Sequence, residues 1–206
     1  MFKLRFATAE LPKSLNEKDR VEEFHRFLSA FYTDVELNHL KGHPFKVDLI
    51  AALSGRFHLG RFNGSMASFA RTAKAVARAP NDDFVIGINT GLAPLAHTQV
   101  GQDVVLRSGG AVLCTNGEPG IVEAEDFSSW LFLGMPRSLL LDICPGAEHV
   151  LGRGFSPENP ALRHLTQYAE LLLKADQPNT DPLLSEHIDH TLADLISMMI
   201  GYEYSM

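Results

Sequence analysis

The chain has 206 residues, of which 45% are hydrophobic and 21% are charged, so it can bury a core and is not disordered as a whole. Its 18 Lys and Arg against 25 Asp and Glu give a net charge of −7 at neutral pH, which offers no electrostatic footprint for DNA or RNA. The N-terminus lacks the apolar segment of a signal peptide, and the longest apolar runs are too short to span a bilayer. We expect one cytoplasmic domain over residues 1–206, without membrane contact.

Residues 15–34 are predicted to form an amphipathic helix. Ser14 and Asn16 are candidate N-caps ahead of it. Its apolar residues recur at helical spacing, while charged residues fall on the other side. The apolar set is Val21, Phe24, Leu28 and Phe31. A helix of this kind packs one face against a larger body.

Residues 45–134 have the pattern of a β-barrel. Short apolar runs alternate with polar residues and are separated by glycines at regular intervals. In the run 83–88, Phe84, Ile86 and Ile88 share one face. Many short strands with regular turn signals predict a β-sandwich or a jelly-roll barrel.

Residues 136–201 are predicted to be mainly helical. Pro136 suits the first turn of a short helix, and a later helix places Leu162, Leu165 and Leu172 on one stripe. A turn at 177–182 then leads into the last helix. Two helices joined by so short a connection form an antiparallel hairpin.

The last helix carries two apolar sets of residues. The first set is Leu184, Ile188, Leu192, Leu195 and Met199, and the second is Ile196, Met198 and Ile200. One set would suffice to pack the helix within its own chain, so the surplus predicts a homodimer whose interface is the first set. The alternative is that both sets are buried within one subunit.

The sequence lacks the motifs of catalysis and of cofactor binding. Nucleophile elbows, phosphate-binding loops and the His-x-His pair of metal-binding barrels do not occur. His187 and His190 lie three residues apart on the last helix and could bind zinc only with a further ligand. We therefore expect no catalytic residue, no metal and no cofactor, and we expect that the protein is not an enzyme.

Five residues of the barrel are candidates for ligand binding: Arg71, Phe84, His97, Trp130 and Phe132. Arg71 has the parity of the core-facing Phe69, so at a barrel mouth its guanidinium could hold an anion. The alternative explanation of Arg71 is a structural ion pair or plain surface exposure. Trp130 and Phe132 share a strand face and could line an apolar cavity, or they could pack in the core.

The order of these elements resembles a known family. The segments that carry the likeness are 53–59 with Arg71-Thr72, 106–113, 131–140 with its strand, Pro-Arg and helix, 151–155, and 190–196. Over nearly the whole chain they are similar to the N-terminal sensor domain of AraC/XylS-type transcriptional regulators, in its cupin-like form. The resemblance implies an α+β fold: a cupin-like jelly-roll barrel with an N-terminal helix and a C-terminal antiparallel helical hairpin. It also implies a small-molecule effector in or near the barrel, and dimerisation through the hairpin.

The sequence departs from that family in two places. Ser108-Gly109-Gly110 stands where the family has a Pro-Gly-Asp turn, so the local conformation or ion pairing is expected to differ. The two helix-turn-helix units that should follow are absent from a chain that stops at Met206. We expect that these residues do not read DNA by themselves, and that DNA is bound only through a C-terminal domain missing from this chain.

Three functions follow as hypotheses. The first is a regulator's effector-sensing and dimerisation domain, and the second is a cupin-fold enzyme acting on a small metabolite. The third is a free-standing adaptor whose barrel is packed solid. An open interior favours sensing, bound metal favours the enzyme, and a filled barrel favours the adaptor.

Overall fold

The computed structural model describes residues 2–175 and 181–204. These residues form twelve strands and five α-helices, with 3₁₀ turns at Thr8–Glu10 and Ala147–Val150. The strands are β1 Phe2–Ala7, β2 Glu36–His39, β3 Val47–Ser54, β4 Phe57–Gly64, β5 Met66–Arg71, β6 Phe84–Asn89, β7 Leu95–Gln99, β8 Gln102–Leu106, β9 Ala111–Thr115, β10 Gly120–Ala124, β11 Ser128–Met135 and β12 Gly154–Phe155. The helices are α1 Glu17–Phe31, α2 Ala73–Arg78, α3 Arg137–Ile143, α4 Pro160–Lys174 and α5 Pro182–Tyr204. Most of the turn predicted at 177–182 lies outside the described residues.

The strands form two antiparallel sheets. The seven-stranded sheet has the order β1-β3-β4-β11-β6-β9-β12, and the five-stranded sheet has the order β2-β5-β10-β7-β8. Strands β4 to β11 divide between the sheets as β4-β11-β6-β9 and β5-β10-β7-β8, which is the double Greek-key order of a jelly roll. The predicted α+β class and the cupin-like jelly roll are confirmed.

Three strands lie outside the predicted barrel range of 45–134. Strand β1 pairs in full with β3, from Phe2 opposite Leu53 to Ala7 opposite Asp48. Strand β2 pairs with β5, and the two-residue β12 pairs with β9. Each of the three sits at an edge of its sheet. An edge strand has only one neighbour and is partly exposed, so its sequence alternates less clearly than that of an inner strand.

Helix α1 packs beside the barrel and ends earlier than the predicted 15–34. The side chain of Asn16 caps it by accepting a hydrogen bond from the backbone N–H of Asp19 at 2.9 Å. Phe24 and Leu28 are buried in a cluster with aromatic residues of β1 and β4. The helix ends at Phe31 because the chain then turns extended toward β2.

Helices α3, α4 and α5 cover the outer face of the seven-stranded sheet. Leu140, Leu165 and Leu192 join one core cluster with Phe84, Ile86 and other residues of that sheet. The central strands β6 and β11 are therefore buried on both faces, one against the helices and one toward the barrel interior. None of the described helices has the length and apolarity needed to cross a membrane.

The packing of α5 corrects the predicted dimer interface. Ile188, Leu192 and Met199 are at most 5% exposed and belong to the core of their own chain. Leu195 is partly buried against that core, and Leu184 is 48% exposed. Most of the first apolar set is used within one subunit because α5 packs against both the barrel and α4. From the second set, Ile196 and Ile200 are buried as well, whereas Met198 is 63% exposed.

Candidate functional site

A cavity of about 160 Å³ lies inside the barrel, between the two sheets and beside the C-terminal end of α1. Its walls are mostly apolar, and the aromatic members are Tyr32, Phe62, Phe69, Trp130 and Phe132. Strands β5, β7 and β10 contribute one side, β6, β9 and β11 the other, and Leu28 of α1 closes part of it. A partly open interior of this kind is where small-molecule sites occur in small barrels.

The aromatic wall is held in fixed geometry. The ring centroids of Phe69 and Trp130 are 4.7 Å apart in an edge-on arrangement, and those of Phe62 and Trp130 are 5.0 Å apart. Phe132 stands opposite Gly60 on β4, and its ring occupies the space that a Cβ on Gly60 would need. Only glycine at position 60 lets this ring lie flat on the neighbouring strand.

Arg71 lines the cavity but is bound to the main chain. Its Nε donates to the carbonyl of Asn116 at 2.9 Å, its Nη1 to those of Asp34 and Ala75 at 3.0 and 3.3 Å, and its Nη2 to that of Ala79 at 2.6 Å. Burial lowers the pKa of the guanidinium from its ordinary value. Arg71 points into the barrel, as its position on the strand predicted. Its guanidinium is not free to bind an anion, because four of its N–H groups already donate to carbonyls. The side chain instead joins the end of α2 to two loops.

His97 and Asn116 line the cavity, and each has a buried polar atom without a hydrogen-bond partner among the described residues. His97 is 3% exposed, and its Nδ1 has no hydrogen-bond partner within the described part of the chain. Burial lowers the pKa of its imidazole to about 4, so the ring is neutral at pH 7. Asn116 is 7% exposed; its Oδ1 accepts from the Tyr32 hydroxyl at 3.2 Å, while its Nδ2 is left unpaired among the described residues. Two residues of the cavity lining thus carry a buried polar atom with unused hydrogen-bonding capacity.

Gln99 and Cys114, two further polar residues of the lining, have hydrogen-bond partners. The side chain of Gln99 donates to the carbonyls of Thr115 and Glu118 at 2.8 and 3.1 Å and accepts from the Thr115 N–H at 2.9 Å. The Cys114 thiol donates to the carbonyl of Val85 at 3.3 Å, and burial raises its pKa to about 12. Gln99 therefore joins β7 of the five-stranded sheet to the end of β9 in the other sheet, and Cys114 joins β9 to its neighbour β6. Their polar groups are already used in these contacts.

Four of the five residues predicted to bind ligand line this cavity: Arg71, His97, Trp130 and Phe132. Phe84 does not, which corrects the prediction. It is fully buried on the other face of the seven-stranded sheet, under the guanidinium of Arg137 at 5.5 Å from the ring centroid. The more apolar face of β6 packs against the helices, and the barrel interior receives Val85 and Gly87.

Three polar residues that line the cavity were not predicted from the sequence: Tyr32, Gln99 and Asn116. Tyr32 follows the last residue of α1, and Asn116 stands in the polar turn between β9 and β10. From the sequence, these positions are predicted only as the end of a helix and as a loop. Nothing in the local sequence pattern indicates that their side chains point into the barrel. For Gln99 the signal existed: it has the same strand parity as His97, two residues earlier.

Metal ligation has no support from side-chain clustering. Within residues 2–175 and 181–204, no group of three or more His, Cys, Asp or Glu side chains is arranged to hold a metal ion. His187 and His190 are both exposed on α5. Cys114 and Cys144 are free.

Comparison with known proteins places this fold in a family. No curated protein matches the chain. Among solved structures, the AraC-like transcriptional activator CuxR superposes with a TM-score of 0.78 at 15% identity, covering 97% of this chain and 70% of that one. The EutQ protein of Clostridium difficile matches with a TM-score of 0.36 at 17% identity, over 46% of this chain and 66% of its own. A model of the AraC-binding-like domain matches residues 24–200, and the chain therefore belongs to the AraC-binding-like domain family.

Proposed function

We propose that this chain is the effector-binding and dimerisation domain of an AraC-type transcriptional regulator, and that it acts by binding and not by catalysis. The observation that carries the proposal is the cavity inside the barrel, with unpaired polar atoms on His97 and Asn116. A barrel that served only as a structural adaptor would gain stability by filling this space. The cavity therefore argues against the hypothesis of a free-standing adaptor whose barrel is packed solid.

DNA binding is assigned to a segment other than these 206 residues. Their net charge of −7 disfavours binding to the phosphate backbone of duplex DNA. The AraC-like activator that shares this fold is the longer chain, since the likeness covers 70% of it. We propose that the regulator's DNA-reading part is attached to this domain and responds to its state.

The path from ligand to assembly runs through the seven-stranded sheet. Strands β6 and β11 present Gly87 and Phe132 to the cavity on one face. On the other face they present Ile86 and Leu133 to the core that includes α5. A ligand that binds one arrangement of these strands more tightly shifts the population toward it, and the helical hairpin follows. Dimerisation is assigned to the exposed apolar residues of that hairpin, among them Leu184 and Met198.

The test uses Trp130, the only tryptophan of the chain, as a reporter inside the cavity. A small-molecule library is screened for compounds that change its fluorescence, and binding is confirmed by calorimetry. Gly87→Leu is the blocking variant, because a Cβ at Gly87 would face the cavity with only Val112 nearby, at 3.8 Å. We expect hits for the native protein that bind at least tenfold more weakly to Gly87→Leu.

Gly134→Ala is the matched control for that variant. Its added Cβ also meets ordinary contacts, the nearest 3.6 Å away on His58, but lies away from the cavity lining. It should bind the hits as the native protein does. A library without any hit, or hits that Gly87→Leu binds as tightly, would refute effector binding in the barrel.

A further inference from the structure

We propose that the cavity takes an uncharged ligand of about one aromatic ring, carrying a single polar group that His97 and Asn116 bind. This inference rests on the proposed function, because it names the class of effector for the same site. Three features support it separately: the size and walls of the cavity, the hydrogen bonds of Arg71, and the unpaired polar atoms of two lining residues.

Size and wall chemistry limit the ligand. The cavity volume is about 160 Å³. An apolar cavity of roughly 150 Å³ is known to accept one benzene molecule. Phe69 and Trp130 meet edge-on, so the site offers both ring faces and ring edges to a flat guest. A nucleotide or a disaccharide exceeds this space and would leave many hydroxyl groups against aromatic carbon.

The charge balance of the lining disfavours ions of either sign. Of the described residues that line the cavity, Arg71 alone carries a formal charge at neutral pH, so a cationic ligand would meet no carboxylate. Four of the five N–H groups of Arg71 donate to main-chain carbonyls. Two of these carbonyls, of Ala75 and Ala79, lie at the C-terminal end of α2, where backbone dipoles offset the positive charge. The guanidinium of Arg71 therefore lacks the pair of free N–H groups that would bind an anion.

The unpaired atoms define the polar end of the ligand. Buried polar groups in folded proteins nearly always have partners, and an exception needs an explanation. The Nδ2 of Asn116 is a donor held in place because its own Oδ1 accepts from Tyr32. The Nδ1 of His97 belongs to a ring that burial keeps neutral. A carbonyl, amide or hydroxyl group on the ligand would pair with these atoms without bringing a charge.

The test compares three probes of one shape and different charge by calorimetry at pH 7.5: benzamide, benzoate and benzylammonium. We expect benzamide to bind at least tenfold more tightly than either ion, and Gly87→Leu to lose this binding. Tighter or equal binding of benzoate or benzylammonium overturns the ligand class but leaves effector sensing standing. Failure of all three to bind also overturns the class, whereas effector sensing is judged by the library screen alone.

A specificity change at His97 tests the polar contact itself. His97→Leu removes the ring nitrogens and keeps an apolar side chain of similar bulk. We expect benzamide to bind at least fivefold more weakly to this variant, and toluene to bind as tightly as before or more tightly. Circular dichroism and the Trp130 emission of the free variant verify that the barrel is intact. A loss of affinity equal for benzamide and toluene, or no loss for benzamide, would contradict the assigned role.

Discussion

The carboxylate of Asp189, on α5, accepts a hydrogen bond at 3.2 Å from the backbone N–H of Arg56, in the turn between β3 and β4. Its partner lies 133 residues away in sequence, so this contact ties the last helix to the barrel. Gly55, next to Arg56, has a φ of +56° and brings its Cα so close that a Cβ would occupy the position of the carboxylate. The turn and the helix therefore fit each other only when position 55 is glycine.

The first prediction concerns that fit. Gly55→Ala adds a methyl group to a residue with positive φ and pushes it into Asp189, and we expect it to lower the free energy of unfolding by about 2–4 kcal/mol. Gly101→Ala is the control, because Gly101 has a φ of +72° but open space where its Cβ would lie. The control should lose only about 1 kcal/mol, from the backbone alone. Urea denaturation measures both, and equal losses would show that the Asp189 contact contributes nothing.

The second prediction concerns Arg71. Arg71→Met removes the side-chain donor from the carbonyls of Asn116, Asp34 and Ala79. Each unsatisfied buried group costs about 1–3 kcal/mol unless water reaches it. We expect a total loss of about 2–4 kcal/mol in urea denaturation. The matched control is Arg107→Met, because Arg107 is exposed, and it should change stability by less than about 0.5 kcal/mol. If Arg71→Met is as stable as the control, the guanidinium is not a structural clamp.

The sequence allowed the barrel to be predicted but left open which side of each strand faces it. Trp130 and Phe132 were placed correctly on one face of β11, since a strand alternates regardless of its surroundings. Phe84 was placed wrongly because β6 is buried on both faces, and alternation alone does not tell the helix-covered face from the interior. Leu192 was misassigned for a similar reason: an apolar helix face looks the same whether its cover is the same chain or a second copy.

The third prediction is a pH dependence of stability that originates at His97. Its folded pKa, about 4, lies below the ordinary value of an unfolded histidine, so between these values the unfolded chain binds a proton that the folded chain does not. The contribution is fully present above pH 6.5 or so and is lost as the pH falls toward 4, by up to about 3 kcal/mol. His97→Gln removes this titration. The difference in unfolding free energy between native protein and variant should therefore change between pH 7 and pH 4.5 in favour of the variant. A constant difference over that range would mean that His97 is not held neutral.

The last prediction concerns dimerisation. The native protein is expected to sediment as a dimer at micromolar concentration, because α5 exposes apolar residues that its own core does not use. Met198 is 63% exposed, and Met198→Glu would place a charge in the dimer interface while leaving the subunit core intact. We expect a folded monomer, with dimer affinity at least thirtyfold weaker, equivalent to about 2 kcal/mol.

Two further variants separate the interface from the core. Leu192 is fully buried within its own subunit, so Leu192→Glu should unfold the domain instead of dissociating it. Val105 is 65% exposed on β8, at the far edge of the five-stranded sheet, and Val105→Glu adds the same charge to an equally exposed apolar position away from the hairpin. Sedimentation should show that this control remains a dimer. If Met198→Glu remains a dimer and Val105→Glu dissociates, the interface lies on the barrel and not on the helices. If the native protein is monomeric at every concentration, the prediction of a dimer is wrong.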